Sequence, residues 1–233
     1  MAIKFGDKNI LSIYKGTKKV NDIIRNGVSY LMQSDKGLFE KSTGMTMLAF
    51  INNGYAESGK AYDSQGNEVK NWSTYWDFTA YDDGSQTFNL KSKTHTTLPT
   101  KIPVIINKKL VTSFGKLFWQ CTNLKTLDLS DVDTSNINNM SFTFCYCSSL
   151  VSLNLSNWNT SNVIKMNTMF SSSNSLTELD LTSFDTSKVT TMNGMFNNCT
   201  KLKNIYVGEN WDTSIADMTN MFKNCGTSSV TKV

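Results

Sequence analysis

A phenylalanine returns every 26 residues in the second half of this chain, at Phe118, Phe144, Phe170, Phe196 and Phe222. Numbering each unit from its Phe puts Cys121, Cys147, Ser173, Cys199 and Cys225 at position 4. Leu124, Leu150, Leu176 and Leu202 stand at position 7, and Leu127, Leu153, Leu179 and Ile205 at position 10. Position 12 is Leu129, Leu155, Leu181 and Val207. A D/N-T-S step follows: Asp133-Thr134-Ser135, Asn159-Thr160-Ser161, Asp185-Thr186-Ser187 and, one residue late, Asp212-Thr213-Ser214. Ile137, Val163, Val189 and Ile215 hold position 20, Met140, Met166, Met192 and Met218 position 23, and Thr143, Met169, Met195 and Met221 position 26. Val111, Phe114 and Leu117 precede them in the same register. One such unit cannot bury its own apolar face, and stacked copies bury it together.

The spacing also predicts local structure. L-x-x-L-x-L ends in strict alternation, as a short strand with one buried face requires. V-x-x-M-x-x-M-F-x-x-C places apolar residues at i, i+3, i+6 and i+7, one face of a short helix. The D/N-T-S step offers N-cap side chains just before it, worth about 1 kcal/mol per helix. The expected fold over residues 111–233 is an α/β solenoid, with one short strand and one short helix per 26-residue unit.

The first half differs. Ile10–Gly16 is echoed ten residues later by Val20–Asn26, and Asn26-Gly27 is a hairpin signal. Residues 1–36 read as a β-meander with strands near 2–5, 10–15, 20–25 and 28–32. Residues 37–110 read as a small all-β region that caps the solenoid, with β-like runs at Ser73–Tyr81, Thr87–Lys91 and Val104–Ile106. The far end has only Gly226–Val233 beyond the last unit, so it either forms a closing strand around Val230 and Val233 or pairs with another chain.

Composition narrows the function. Ser, Thr and Asn make up about a third of the chain, which suits many turns and small polar steps. No run approaches the ~18 apolar residues of a membrane span. The start, MAIKFGDKNILSIY, carries Lys4, Asp7 and Lys8 and reads as no signal peptide. Net charge is +4, and residues 118–225 carry 6 Lys against 9 acids, so nucleic acid is not an expected partner.

Catalytic chemistry finds little support. His95, the single histidine, lies in Lys-Thr-His-Thr-Thr with no nucleophile elbow beside it. The carboxylates Asp77, Asp82, Asp83, Glu178 and Asp180 are candidates for a glycosidase pair, but Asp180 is a repeat position and Asp82-Asp83-Gly84 reads as a turn. The loops 63–68 and 82–85 lack EF-hand ligand spacing. The cysteines read as a ladder of small buried thiols, with disulfides between adjacent rungs as the alternative; Cys145, out of register, is the expected exposed thiol. No catalytic residue, metal or cofactor is assigned. Trp158 and Trp211 stand where Val132 and Phe184 occur in other units, which argues for packing. Trp72, Tyr75 and Trp76 read as a core cluster of the β region or a sugar-stacking patch.

Surface remains. Positions 9, 11 and 13 flank the strand leucines and are expected to face out: Thr126, Asp128, Ser130; Ser152, Asn154, Ser156; Glu178, Asp180, Thr182; Asn204 and Tyr206, with Gly208 last. This hydroxyl-rich, mildly acidic strip is the candidate binding surface.

The pattern F-x-x-C-x-x-L-x-x-L-D-L-S-x-x-D-T-S-x-V-x-x-M-x-x-M resembles the BspA-like leucine-rich repeat over about residues 111–225. That resemblance implies binding rather than catalysis, since the family consists mostly of bacterial surface proteins and adhesins. The segment I-x-x-I-Y-K-G-T-K-K-V near the start resembles N-terminal segments of minor structural proteins of bacteriophage tails. Together they imply a non-enzymatic recognition module, a phage tail-associated protein that contacts the bacterial host. Its partners would be a surface protein or glycan, tail proteins through residues 1–36, and in some assemblies further copies of itself. Its place would be the virion, or the extracellular cell surface. The alternative is a bacterial adhesin or interaction module exported by a signal outside this chain, with a cell-wall glycan hydrolase as a third class.

Overall fold

The computed structural model describes residues 51–233 apart from 53, 55 and 99, and three short strands within the first fifty residues. Those strands are β1 (Asp22–Arg25), β2 (Val28–Met32) and β3 (Leu38–Glu40), joined antiparallel in that order. Arg25 pairs with Val28, so β1 and β2 form the antiparallel pair that the hairpin signal predicts. The expected strands near 2–5 and 10–15 lie outside the described residues. The sheet also runs past the expected boundary at 36, since β3 pairs Phe39 with Leu31.

The next region is two small sheets. Strands β4 (Ala61–Tyr62), β7 (Ile105–Ile106) and β8 (Lys109–Leu110) form one, ordered β4-β7-β8 and antiparallel. A one-turn helix, α1 (Trp72–Tyr75), leads into β5 (Trp76–Ala80), which pairs antiparallel with β6 (Gln86–Leu90) around the Asp82-Asp83-Gly84 turn. Gly84 sits at φ +81°, a conformation that glycine adopts without strain.

The repeats carry β9 (Thr126–Asp128), β10 (Ser152–Asn154), β11 (Glu178–Leu181) and β12 (Asn204–Val207). β9 pairs parallel with β10, and β11 with β12, each partner 26 residues away. No ladder joins β10 to β11. A last strand, β13 (Thr231–Lys232), pairs parallel with β12, and the Val233 N–H donates to the Val207 carbonyl at 3.0 Å. The closing strand thus falls between Val230 and Val233.

The expected helix in each unit is absent. In its place runs an arc of overlapping turns. The N–H of Cys147 reaches the Phe144 carbonyl at 3.2 Å, and that of Cys145 the Phe142 carbonyl at 3.2 Å. Left-handed residues come in pairs four positions apart, as at Phe142 (φ 61°) and Tyr146 (φ 61°), and at Thr168 (φ 59°) and Ser172 (φ 61°). Such residues cannot continue a right-handed helix. They free alternate N–H groups to point along the stack. Phe118 donates to the Thr143 carbonyl at 2.9 Å, Phe144 to Met169 at 2.8 Å, Phe170 to Met195 at 2.9 Å and Phe196 to Met221 at 2.9 Å. Parallel bridges continue the same connection from Ser113 to Asn139, Lys165, Thr191 and Asp217.

The side chains of this arc form the core. The position 1 rings stack nearly parallel, with centroids 5.6 Å apart for Phe118–Phe144, 5.5 Å for Phe144–Phe170, 5.7 Å for Phe170–Phe196 and 5.6 Å for Phe196–Phe222. Offset stacking of this kind contributes about 0.5–1.5 kcal/mol per pair beyond area burial. Trp158 is buried, stacks on Phe184 at 6.3 Å and donates its Nε1–H to the Leu129 carbonyl at 3.0 Å, so it packs as the recurrent hydrophobe predicts. Trp76 and Phe88 cover the first rings: Trp76 lies 6.1 Å from Phe118, and Phe88 lies 6.2 Å from Phe114. The Leu90 N–H donates to the Leu117 carbonyl at 2.9 Å. One hydrophobic cluster therefore runs from Ala56 to Met221.

Candidate recognition surface

The D/N-T-S step does different work from an N-cap. The aspartate or asparagine accepts from the backbone two residues on, as Ser135 N–H to Asp133 Oδ1 at 2.9 Å and Ser187 N–H to Asp185 Oδ1 at 3.0 Å. These are Asx turns. The buried threonine clamps the next unit. Thr160 Oγ1 donates to the Asp185 carbonyl at 2.8 Å and accepts the Asp185 N–H at 2.8 Å. Thr134 does the same with Asn159, and Thr186 with Asp212. A signal for this was present: the middle residue is Thr in every unit, whereas a cap would let Ser, Thr and Asn interchange.

Position 4 links units too. Cys147 Sγ donates to the Phe118 carbonyl at 3.1 Å, Ser173 Oγ to Phe144 at 2.7 Å and Cys199 Sγ to Phe170 at 3.0 Å. The role is a short donor beside an apolar stack, which explains why serine serves in the third unit. All five cysteines are free thiols. Cys145, expected to be exposed, is buried, because its turn folds it inward beside position 4; Cys225 is the half-exposed one.

Parallel strand pairing divides the expected strip in two. Parallel pairing sets Thr126 beside Ser152 and Asp128 beside Asn154, and separately Glu178 beside Asn204 and Asp180 beside Tyr206. Ser130 follows on from β9 and Ser156 from β10. The missing β10–β11 ladder separates the two halves. Thr126, Asp128, Ser152, Asn154, Ser156, Glu178, Asp180, Thr182 and Asn204 are exposed, Ser130 and Tyr206 half-buried. Position 11 spends one oxygen on its own turn. Asp128 Oδ1 accepts from Ser130 N–H (3.1 Å), Ser130 Oγ (2.7 Å) and Asn154 Nδ2 (3.0 Å), and the serine bonds above all hold its carboxyl below the usual range. Asp180 accepts likewise from Thr182. Gly208 closes the strip because a Cβ there would sit 2.3 Å from the Thr182 carbonyl oxygen.

Elsewhere, polar side chains of the 63–67 loop serve local structure. Asp63 is buried and gives Oδ1 to the Gln65 and Asn67 N–H groups and Oδ2 to Asn67 Nδ2, so both oxygens serve their own loop. Lys101 pairs with Asp131, and Ser64 Oγ accepts the Asp133 N–H at 2.7 Å, which fastens this loop to the first unit. His95 lies edge-on to Tyr75 at 6.1 Å. No group of three or more metal-ligating side chains occurs among the described residues. Nor is any helix there long and apolar enough to cross a membrane.

A second feature had no sequence signal. A cleft of about 350 Å³ opens between the β5–β6 turn and the bridged turns of the first repeats, lined by Asp83–Gln86, Thr112, Ser113, Asn138, Asn139, Ile164 and Lys165. It joins residues more than fifty positions apart, and the positions involved do not repeat in type.

Stacked 26-residue units, clamped by threonine and cored by a row of phenylalanines, define a repeat protein. Its repeats match the DUF285 family, described as a Mycoplasma protein of unknown function, over residues 112–232. That is just over half of the chain, which therefore belongs to this family. No curated protein and no solved structure matches it.

Proposed function

We propose that the chain is a non-enzymatic recognition module that meets a bacterial surface through the exposed face of its repeats. The observation behind this reading is the paired register of the strip, where β9–β10 and β11–β12 each align exposed hydroxyl, amide and carboxylate groups strand to strand. Such a surface varies side chains on a constant backbone, as solenoid binding faces do. The expected partner is a surface protein or glycan. The tail-like segment near the start supports a place in a phage tail, with docking through residues 1–36. Mass spectrometry of purified virions tests that assignment, and absence of the protein from them rejects it. The family's description as a Mycoplasma protein favours a second reading, a module of a bacterial cell surface. Binding of the full chain to whole bacteria, compared with Asn154→Ala and Asp180→Ala, tests the shared claim; equal retention of all three rejects the strip.

A further inference from the structure

The cleft beside the β5–β6 turn shares no residue with the strip. Its walls are fixed before any ligand arrives. Gln86 donates Nε2–H to the Leu110 carbonyl at 2.7 Å and accepts the Thr112 N–H on Oε1 at 2.8 Å, which locks the hairpin to the repeats. Asp83 Oδ1 accepts from Ser85 N–H at 2.9 Å and Ser85 Oγ at 2.7 Å, and the serine holds its carboxyl below the usual range, so Asp83 is an ionised acceptor with Oδ2 to spare. The floor is three successive rungs, Thr112-Ser113, Asn138-Asn139 and Ile164-Lys165, held by parallel bridges and by the Asn138 N–H to Thr112 carbonyl bond at 2.9 Å. Rungs of this kind lie about 4.8 Å apart.

What the floor leaves free defines its ligand. Among the described residues, neither the Asn138 amide nor the Lys165 ammonium has a hydrogen-bond or ion-pair partner, although both line the cleft. Asn139 uses Oδ1 on the Ser141 N–H at 3.0 Å and keeps its NH₂. The cleft thus offers one carboxylate, one ammonium, amide donors and acceptors, and hydroxyls, with Ile164 as an apolar step 44% exposed. One lysine against one aspartate gives no net charge for a phosphate or a polyanion. An extended peptide would need an open backbone edge, but the 113, 139 and 165 backbones are already paired to one another. A small neutral ligand rich in hydroxyl groups satisfies these groups, and a volume near 350 Å³ falls at the small end of ligand pockets.

We infer that this cleft is a carbohydrate-binding site for a neutral mono- or disaccharide unit. Asp83 and Asn138 bind its hydroxyls, Lys165 donates to a ring or hydroxyl oxygen, and Ile164 packs against a C–H face. The inference stands apart from the host-surface proposal, because free sugar tests it without cells.

The test is saturation-transfer NMR and calorimetric titration of the full chain with glucose, galactose, rhamnose and N-acetylglucosamine. The expected result is saturable binding of at least one sugar, weakened about tenfold by Asn138→Ala and by Lys165→Ala, the worth of one lost hydrogen bond. Both side chains are exposed, so the melting temperature stays unchanged, and Asn154→Ala on the strip binds as the parent does. No saturable binding of any of the four sugars overturns the inference. So does binding that all three variants retain equally, or a peptide library hit in the cleft that no sugar displaces.

Discussion

A thiol packs as a small apolar group only while it keeps its proton. Burial pushes the Cys121 and Cys145 thiols up to about 11 and Cys199 up to about 12, and raises Cys147 further. Cys225, half-exposed at the end of the ring row, is raised as well but remains the accessible sulfur. Iodoacetamide at pH 8 is therefore expected to label Cys225 first, as read by peptide mass spectrometry; prior labelling of Cys145 contradicts its burial. The same shifts set a pH dependence. The unfolded chain ionises its thiols near pH 8.5, so above that the folded state holds more protons than the unfolded one. Stability from this source is complete below about pH 8.5 and is lost as pH rises through 11 and 12. The melting temperature is expected to fall across that window, and to fall less for Cys199→Ser, which keeps the donor to the Phe170 carbonyl. A parent and a variant with the same slope would show that the buried thiols do not govern it.

Between residues and molecule, the unit of construction is the junction of two repeats. Each junction has a threonine clamp, and Thr160 meets both the N–H and the carbonyl of Asp185. Replacing it with valine keeps the shape and leaves two buried backbone groups unpaired, at about 1–3 kcal/mol. Thr160→Val is expected to shift the urea midpoint by that amount, and Thr160→Ser by much less. Equal losses would mean that the methyl group, not the hydroxyl, carries the contact. This level also shows how far the sequence could be read. The strand alternation was legible because a two-residue period belongs to little else. The arc was misread, because turns that bury Met140, Thr143, Phe144 and Cys147 share the three- and four-residue spacing of a helix face. Spacing records which side chains turn inward. It does not record where the N–H groups go, and here alternate ones leave the unit for the next.

At the scale of the whole molecule, apolar periodicity located the core of residues 111–225 but could not join it to the residues before it. Trp76 and Phe88 cap the row by tertiary contact with Phe118 and Phe114, and no period links those positions. The cleft escaped the sequence for the same reason, since Asp83 and Lys165 meet only once the hairpin rests on the repeats. The strip was legible, being periodic, yet its division between β10 and β11 was not. A core continuous from Ala56 to Met221 implies one cooperative unit, with a gradient set by how each ring is covered. Phe170 has rings on both sides and is fully buried, whereas Phe222, among the described residues, stacks on Phe196 alone and is partly buried. Phe170→Ala is expected to cost about 3–5 kcal/mol, and Phe222→Ala less than about half of that. Trp76→Ala removes the cap, so it is expected to lower the same single calorimetric transition by a loss comparable to that of Phe170→Ala. Two transitions, with Trp76→Ala moving only one, would show instead that the β region and the repeats fold apart, and that the row of rings stands without its cover.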